Sequence, residues 1–377
     1  MVATRKRQDR RHRVPAEMID DSLLVGLWAH FLEGARADAL AAWLRQQDEQ
    51  LDVNRTRIYQ LLGEARRRGL IRLQVRDARG AHKDLVRALG LEEDPRRSRI
   101  RVVGASGEGT TEQVAMRSAE VALELIRELA RAKGDELVRV GLGGGRTLRM
   151  VAQQLAAMLR REPGRPPLAV HALSSGFDPL APQNAPITFL GAFDGVARQL
   201  VGLFSEGVLD PGNTARLPGL PGVGESFELA KEIDLVITSL ASRHDPSGAL
   251  NRFLAHGKHS KLKESRLKLE SLGWVGDVLY EPYSSTKPIE EDLPVRPVSV
   301  LTLSKLLALA ERADKRVLLV VAPSESGRSK ADALVPLLTQ PRLALWTDLV
   351  IDAPSAENVV SIVSASARHR SREESGP

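Results

Sequence analysis

The segment VRVGLGGGRTL, residues 138–148, contains the pattern that decides the fold of most of this chain. An apolar, β-branched run is followed by a glycine-rich turn, and a helical pattern begins at Thr147. Glycines allow the backbone amides of such a turn to point inward, and the positive end of the next helix attracts an anion. Arg146 adds charge-assisted donors and Thr147 adds a hydroxyl. The segment therefore predicts a strand–turn–helix unit that binds a phosphate or a carboxylate.

This turn does not match the two best-known nucleotide-binding motifs. The third glycine of a GxGxxG fingerprint would fall on Arg146, and the GK[ST] of a Walker A loop is absent. The pattern thus indicates an anion site without indicating a nucleotide. A tight strand-to-helix turn that binds no ligand is the alternative interpretation.

Apolar, β-branched runs recur after this segment, and helical stretches separate them. They are LAVHALSS (168–175), DLVITSL (234–240), RVLLVVAP (316–323) and DLVIDA (348–353). Nearly continuous apolar strands that alternate with helices indicate a mostly parallel sheet covered on both faces. We therefore predict a larger α/β domain for this part of the chain.

The charge distribution indicates a different task for the N-terminal quarter. The chain has 377 residues, which is enough for two domains, and a formal net charge of +6. The first 100 residues carry 21 Lys and Arg against 15 Asp and Glu, so all of this excess lies there. A basic head on a neutral body is typical of a module that binds a polyanion. Residues 1–14 are basic and poor in apolar side chains, and we predict that they are disordered.

Three helical patterns follow this basic tail. Asn54 is a good N-cap for the third helix, Gly69 is a natural stop, and LIRLQV (70–75) alternates like a short strand in the position of a wing. Leu51 and Val53 can anchor the long loop before the third helix. This order predicts a small winged helix-turn-helix domain over residues 15–76. The apolar positions with helical spacing are Leu24, Leu27, Trp28 and Phe31; Ala37, Leu40, Ala41 and Leu44; and Ile58, Leu61, Leu62 and Ala65.

The third helix also has a polar face that suits the major groove of DNA. Thr56 and Gln60 can bond to base edges, Gly63 permits close approach, and the arginines can meet phosphates or guanines. The predicted DNA-binding residues are Arg55, Thr56, Arg57, Tyr59, Gln60, Arg66, Arg67 and Arg68. A helical dimerisation or protein-docking module with solvated arginines is the alternative.

Several functional classes receive no support from the composition. The chain has no cysteine, and its eight histidines are scattered, so no metal site and no cofactor is expected. The longest apolar runs are too short to span a membrane, and the charged N-terminus does not resemble a secretory signal. We therefore expect a cytoplasmic protein.

Five motifs in order resemble those of the SorC-type sugar-binding transcriptional regulators, over roughly residues 20–365. They are ARRRGLIRLQV (65–75), VGLGGGRTL (140–148), GWVGDVL (273–279), VLLVVAPSESGRSKADAL (317–334) and LVIDAPSA (349–356). The resemblance implies a body with the fold of ribose-phosphate isomerases, sugar-phosphate deaminases and coenzyme A transferases. It also implies a phosphorylated sugar or similar effector, double-stranded DNA as a partner, and a homo-oligomer, either a dimer or a tetramer.

The resemblance also implies an effector site and a division of the chain. The anion cradle falls on Gly143, Gly144, Gly145, Arg146 and Thr147, and further pocket residues are Ser174, Ser175, Gly176, Asp277, Lys330 and Asp352. Residues 77–99 are expected to be a linker, with a possible short helix around 83–91. Residues 100–365 are expected to bind the effector and to oligomerise, and 366–377 to form a disordered tail.

Departures from the family pattern leave the effector open. Thr238–Ala241 replaces a glycine-rich turn, a longer Pro323–Arg328 segment replaces a glycine pair, and Ile351 replaces a threonine. The effector is then atypical, or the pocket has lost ligand binding and retains only a role in assembly.

Two other functions remain as alternatives to a regulator. An isomerase or deaminase on the same fold needs a carboxylate base with a nearby histidine, and only His244 and Asp245 approach that pattern, within a predicted loop. We therefore assign no catalytic residue and predict no enzyme. An RNA-binding protein would display stacking aromatic residues, and the head offers only Trp28, Trp43 and Tyr59.

Overall fold

The computed structural model describes residues 15–32, 34–48, 51–71, 77–92, 94, 97, 99–105, 107, 109–255, 259–325 and 327–374. These residues divide into two compact units, and the boundary falls between Gln74 and Val75. The predicted basic tail of residues 1–14 lies outside the described residues, as do residues 72–75 of the predicted wing strand. No helix among the described residues combines the length and the apolarity needed to cross a membrane.

Among its described residues, the N-terminal unit has three α-helices, α1 (Asp21–Leu32), α2 (Ala37–Gln47) and α3 (Arg55–Arg67). Its core contains the predicted apolar positions of all three helices except Phe31, which is 37% exposed, and Ala37, which packs at the margin. Leu51 and Val53 are buried, so they anchor the loop before α3 as predicted. The side chain of Asn54 accepts a hydrogen bond from the amide of Arg57 (2.9 Å), which confirms the predicted N-cap.

The C-terminal unit alternates strands and helices. Its helices are α4 (Arg79–Leu89), α5 (Thr110–Lys133), α6 (Arg146–Arg160), α7 (Pro186–Phe189), α8 (Pro211–Thr214), α9 (Gly224–Ala230), α10 (Ala249–Ala255), α11 (Ser260–Ser271), α12 (Leu303–Glu311), α13 (Ala331–Thr339) and α14 (Ala353–Glu374). Its strands are β1 (Arg99–Val103), β2 (Val138–Leu142), β3 (Leu168–Ala172), β4 (Gln199–Val201), β5 (Val208–Leu209), β6 (Leu235–Ser242), β7 (Trp274–Val278), β8 (Glu281–Ser284), β9 (Arg296–Pro297), β10 (Arg316–Val321) and β11 (Asp348–Asp352).

Within the described residues, the main sheet has nine strands, and seven of them run parallel in the order β1-β11-β10-β6-β2-β3-β4. β7 and β8 extend from β6 as an antiparallel hairpin. Helices α5 and α6 cover one face of the sheet, and α4, α12, α13 and α14 cover the other. The predicted mostly parallel α/β domain is confirmed. All five apolar runs that were predicted as strands lie in this sheet.

Two segments differ from the sequence-based prediction. The short helix expected around 83–91 is present as α4 at residues 79–89, but it is not part of a linker, because its Leu85 is fully buried in the core of the C-terminal unit. The apolar spacing of Leu85, Val86 and Leu89 gives this helix a face to bury, so the segment belongs to the unit. At the other end, α14 continues to Glu374, through most of the expected disordered tail. No proline or glycine interrupts that stretch before Gly376.

The chain reverses its progress across the sheet between β2 and β6. From β2 it moves outward through β3 to β4, whereas from β6 it moves the other way through β10 to β11. Ligands of open parallel sheets bind beyond the carboxyl ends of the strands at such a point, because adjacent loops there diverge and leave a crevice. The glycine-rich turn follows β2 at this position.

Candidate functional site

A cavity lies at the carboxyl ends of β2 and β6, where the chain reverses. The turn after β2 forms one wall, the end of β6 forms the floor, and the tip of the β7–β8 hairpin forms another wall. Its polar or charged lining residues are Arg146, Thr147, Asp178, Asn184, Thr238, Ser239, Asp245, Ser247, Arg252, Asp277, Tyr280, Ser324, Glu325 and Lys330.

Backbone hydrogen bonds to neighbouring segments fix the conformation of the glycine-rich turn. The amide of Gly143 donates to the carbonyl of Ile237 (3.0 Å), and the amide of Gly145 donates to the carbonyl of Asn184 (2.9 Å). Gly145 has φ +118°, a conformation that glycine adopts without strain, and it precedes the first residue of α6. The amides at the start of α6, from Arg146 and Thr147, therefore form the part of the turn that can bind an anion.

The tip of the β7–β8 hairpin explains why two positions of the turn require glycine. Leu279 and Tyr280 connect β7 to β8, and both have positive φ, 54° and 66°. A Cβ at Gly143 would lie 2.8 Å from Leu279 Cδ2, and a Cβ at Gly144 would lie 2.0 Å from the Tyr280 hydroxyl. The tip thus packs onto two consecutive glycines. Glycine is needed at positions 143 and 144 because the hairpin tip leaves no room for a Cβ. At Gly145 it is needed because the backbone has a positive φ.

Cations and carboxylates face each other across the cavity. Arg252 donates to Asp178 (2.6 Å), and Arg146 lies 3.8 Å from Glu325. The ammonium of Lys330 donates to the carbonyl of Leu240 (3.2 Å). A ligand that binds here meets both signs of charge, which suits a compound with an anionic group and several hydroxyls.

Burial shifts the protonation of two groups at the base of the cavity. It raises the pKa of Asp277 to about 8, an effect that the charge of Lys330 opposes and the charge of Asp245 reinforces. Burial also lowers the pKa of Lys330, and the charges of Asp245 and Asp277 oppose that effect. At neutral pH the Asp277 carboxyl is therefore mainly protonated and can donate a hydrogen bond.

The structure brings together seven of the eleven effector-site residues predicted from the sequence. The seven that line the cavity are Gly144, Gly145, Arg146, Thr147, Gly176, Asp277 and Lys330. The other four lie outside its lining: Gly143 packs beneath Leu279, and Ser175 Oγ donates to the carbonyl of Ser205 (2.9 Å). Ser174 forms a β-bridge with Ser299, and Asp352 caps α14 by accepting from the amide of Ser355 (2.9 Å).

Sequence reasoning missed several residues that line the cavity, foremost Asp178, Arg252 and Tyr280. Asp178 and Arg252 are 74 positions apart in sequence, and only the folded sheet brings them together. Asp245 follows β6, so its place at the carboxyl end of a parallel strand was a usable signal. Asp245 lies in the predicted loop, where its carboxylate accepts from the amide of Ser247 (3.0 Å), but it is buried and not solvated.

The predicted DNA-binding residues divide into two groups. Arg55, Thr56, Tyr59, Gln60 and Arg67 are exposed, and Arg66 is half-buried. Arg57 is buried, and its guanidinium donates to Gln60 Oε1 (3.3 Å).

Arg68 has a structural role in the N-terminal unit. Its guanidinium donates to the carbonyls of Ala16 (2.8 Å) and Ile19 (2.7 Å) and to the carboxylates of Asp21 (2.6 Å) and Glu64 (2.9 Å). These bonds occupy its donors, so we revise its predicted role as a DNA contact. Arg68 joins the end of α3 to the chain before α1.

Metal ligands do not cluster anywhere in the part of the chain that the structure describes. Over those residues, no group of three or more histidine, aspartate or glutamate side chains could hold a metal ion.

Comparison with known proteins gives matches of fold but not of sequence. No family model matches the chain, and no curated protein matches it significantly. Among solved structures, the full-length sorbitol operon regulator SorC from Klebsiella pneumoniae matches with a TM-score of 0.57 at 16% identity, over 91% of this chain and 99% of that one.

Two further matches each cover about three quarters of this chain. A DeoR family transcriptional regulator from Listeria monocytogenes has a TM-score of 0.52 at 16% identity, over 74% of this chain and 97% of that one. A domain of a possible sugar-binding transcriptional regulator from Arthrobacter aurescens TC1 has a TM-score of 0.54 at 19% identity, over 74% and 96%. The chain therefore has the fold that the resemblance to SorC-type regulators implied.

Proposed function

We propose that this chain is a DNA-binding transcriptional regulator whose C-terminal unit binds a small metabolite. The observation that carries the proposal is the cavity at the sheet's reversal point, with the first turn of α6 and Arg146 on its wall. An exposed polar face on α3, within the basic N-terminal quarter, supports DNA as the partner. The fold shared with proteins described as transcriptional regulators supports the same function.

The metabolite belongs, in this proposal, to the phosphorylated sugars or similar compounds. The amides of Arg146 and Thr147 and the Arg146 guanidinium would hold the anionic group. Asp178, Asp245 and the protonated Asp277 offer acceptors and a donor to hydroxyls. The ligand would act by changing the populations of the arrangements of the paired DNA-binding heads in a homo-oligomer, and hence their match to two DNA half-sites.

A thermal-shift screen of the full chain against phosphorylated sugars and their unphosphorylated parents tests the ligand. A ligand that binds only the folded state raises the melting temperature by mass action, and Arg146→Ala should abolish that rise. Arg149→Ala is the matched control, because Arg149 lies on the same helix but does not line the cavity. No shift with any compound, or an equal shift in Arg146→Ala, would contradict the proposed site.

An isomerase or deaminase on this fold is the second candidate. The buried Asp277, with its pKa near 8, favours it, because a group that titrates near neutrality suits proton transfer, and Lys330 lines the same cavity. The cavity lining includes no histidine among the described residues, which favours binding over turnover. Incubation of the protein with each ligand found by the screen, followed by NMR, distinguishes the two: conversion of the ligand would establish an enzyme.

A further inference from the structure

Lys330 is a charged residue of the cavity that also interacts with Asp352, at the end of β11. It lies at the start of α13 and lines the cavity, and it interacts electrostatically with three carboxylates, Asp245, Asp277 and Asp352. Because Asp277 is mainly protonated at neutral pH, the negative charges that act on this ammonium are those of Asp245 and Asp352. A bound anion would add a further competitor on the cavity side and draw the ammonium towards itself.

Asp352 is connected to the segment that carries Lys330 through Ser355 and Ser329. Its side chain is buried, with 2% exposure, at the end of β11. One oxygen accepts from the amide of Ser355, whereas Oδ2 is buried and finds no hydrogen-bond partner among the described residues. Ser355 in turn contacts Ser329, the neighbour of Lys330, through their hydroxyls (3.5 Å). A change in the position of Lys330 is therefore felt at the junction of β11 and α14.

The strand register continues this connection across the sheet. Asp352 is paired with Val103 at the end of β1, and Val103 forms an antiparallel bridge with Asp77 on its other side. The amide of Ala78 donates to the carbonyl of Val102 (2.7 Å), and Arg117 holds the Asp77 carboxylate with two bonds (2.8 and 3.1 Å). Neighbouring strands lie about 4.8 Å apart, so Asp77 is only about 10 Å from Asp352.

Asp77 stands where the chain enters the C-terminal unit. The chain is described up to Ile71 in the N-terminal unit, and the next described residue is Asp77. We propose that Asp352 couples the cavity to this entry point through the row Asp352–Val103–Asp77, and that the Ser329–Lys330 segment at the cavity wall is the element that responds to a bound anion. This inference rests on the proposed function, because it explains how the ligand would reach the segment that leads to the DNA-binding head.

Hydrogen exchange of the full chain tests this coupling first without any ligand. Asp352→Asn removes the charge but keeps an oxygen for the Ser355 amide, so the end of β11 is held less firmly. We expect amides in residues 78–89 to exchange faster than in the wild type by roughly fivefold or more. Asp348→Asn is the matched control, because Asp348 is also buried but lies at the opposite end of β11 and faces Arg99 (3.7 Å). It should leave residues 78–89 unchanged.

The second arm adds inorganic phosphate as the probe anion. In the wild type, phosphate should protect residues 145–148 and accelerate exchange in 78–89, and in Asp352→Asn only the protection should remain. If amides in residues 78–89 of ligand-free Asp352→Asn exchange at the same rate as in the wild type, the coupling is overturned. Should that variant fail to fold, Ser329→Ala removes the hydroxyl contact with Ser355 instead, and unchanged exchange in residues 78–89 of Ser329→Ala would overturn the coupling equally. If phosphate changes the exchange of neither 145–148 nor 78–89 in the wild type, that result counts against the proposed anion site. The ligand-free experiment still decides the coupling.

Discussion

The hydroxyl of Tyr280 rests on Gly144, where a Cβ would come within 2.0 Å of it. Tyr280 in turn places its ring edge-on to Phe177, with centroids 4.7 Å apart. The tip of one hairpin and the turn of another strand thus fit together without space for a methyl group. Because both line the cavity, its shape depends on this contact.

Gly144→Ala should destabilise the C-terminal unit, since the methyl group forces Tyr280 or the turn to move. Overpacking of this kind costs about 1–3 kcal/mol in the free energy of unfolding, measured by urea denaturation. Adding Tyr280→Phe should recover part of the loss by removing the hydroxyl. Gly191→Ala is the control, because its Cβ would meet nothing within 4 Å. Equal effects at the two glycines would contradict the packing described.

Asp277→Asn should change how stability depends on pH. The folded-state pKa of Asp277 is raised to about 8 from 3.8, so the folded chain holds a proton that the unfolded chain releases between these values. Stability from this group is complete below pH 4 and is lost as the pH rises towards 8. The variant lacks this loss and should gain on the wild type by an amount on the order of a few kcal/mol at pH 8. Parallel pH profiles from urea denaturation would refute this.

Gln60 and Arg67 should contribute differently to DNA binding. Gln60→Ala should relax sequence preference, because a base contact discriminates between sequences, at a cost of about 1–3 kcal/mol on the preferred duplex. Arg67→Ala should weaken binding to all duplexes alike and reduce the salt dependence by about one ion. Fluorescence anisotropy with selected and random duplexes at several salt concentrations measures both. Identical losses for the two variants on the two duplexes would contradict this division.

Arg68→Ala should lower the melting temperature of the N-terminal unit, because the variant removes the Arg68 donors to the Ala16 and Ile19 carbonyls and one of the two arginines that bind the buried Glu64. Arg66→Ala is the comparison, since Arg66 lies on the same helix, and it should leave the melting temperature unchanged. Calorimetry of the full chain follows the transition. A stable Arg68→Ala protein with weakened DNA binding would restore Arg68 to the list of DNA contacts.

The strands and the core helices were predictable because periodicity reports burial directly. The runs at 138–143 and 234–240 are mostly apolar, and both lie in the middle of the parallel sheet. The helices α1 to α3 were equally clear from spacing, including the cap at Asn54. α4 was harder, since its charged residues concealed a narrow apolar face whose partner, α14, lies almost 280 positions further along the chain.

The site was predictable only where its residues are adjacent in sequence. The local sequence from Gly144 to Thr147 is enough to indicate an anion-binding turn. The pair of Asp178 and Arg252, in contrast, forms only after the sheet has assembled. The purpose of Gly144 was equally hidden. A glycine-rich turn before a helix suggests a phosphate cradle, whereas this position accommodates a tyrosine from a distant hairpin.

The backbone of Leu279 and Tyr280 has a consequence for the durability of the protein. Two-residue hairpin tips with positive φ favour asparagine and glycine, and a side chain such as leucine or tyrosine costs roughly 1–2 kcal/mol in each such position. The wall of the cavity therefore contains a strained backbone, which the packing of Leu279 and Tyr280 on the glycine-rich turn stabilises. An Asn-Gly tip would relieve this strain, but it would leave the space next to Gly143 and Gly144 unfilled. These two residues therefore lower the stability of the fold while they shape the wall of the cavity.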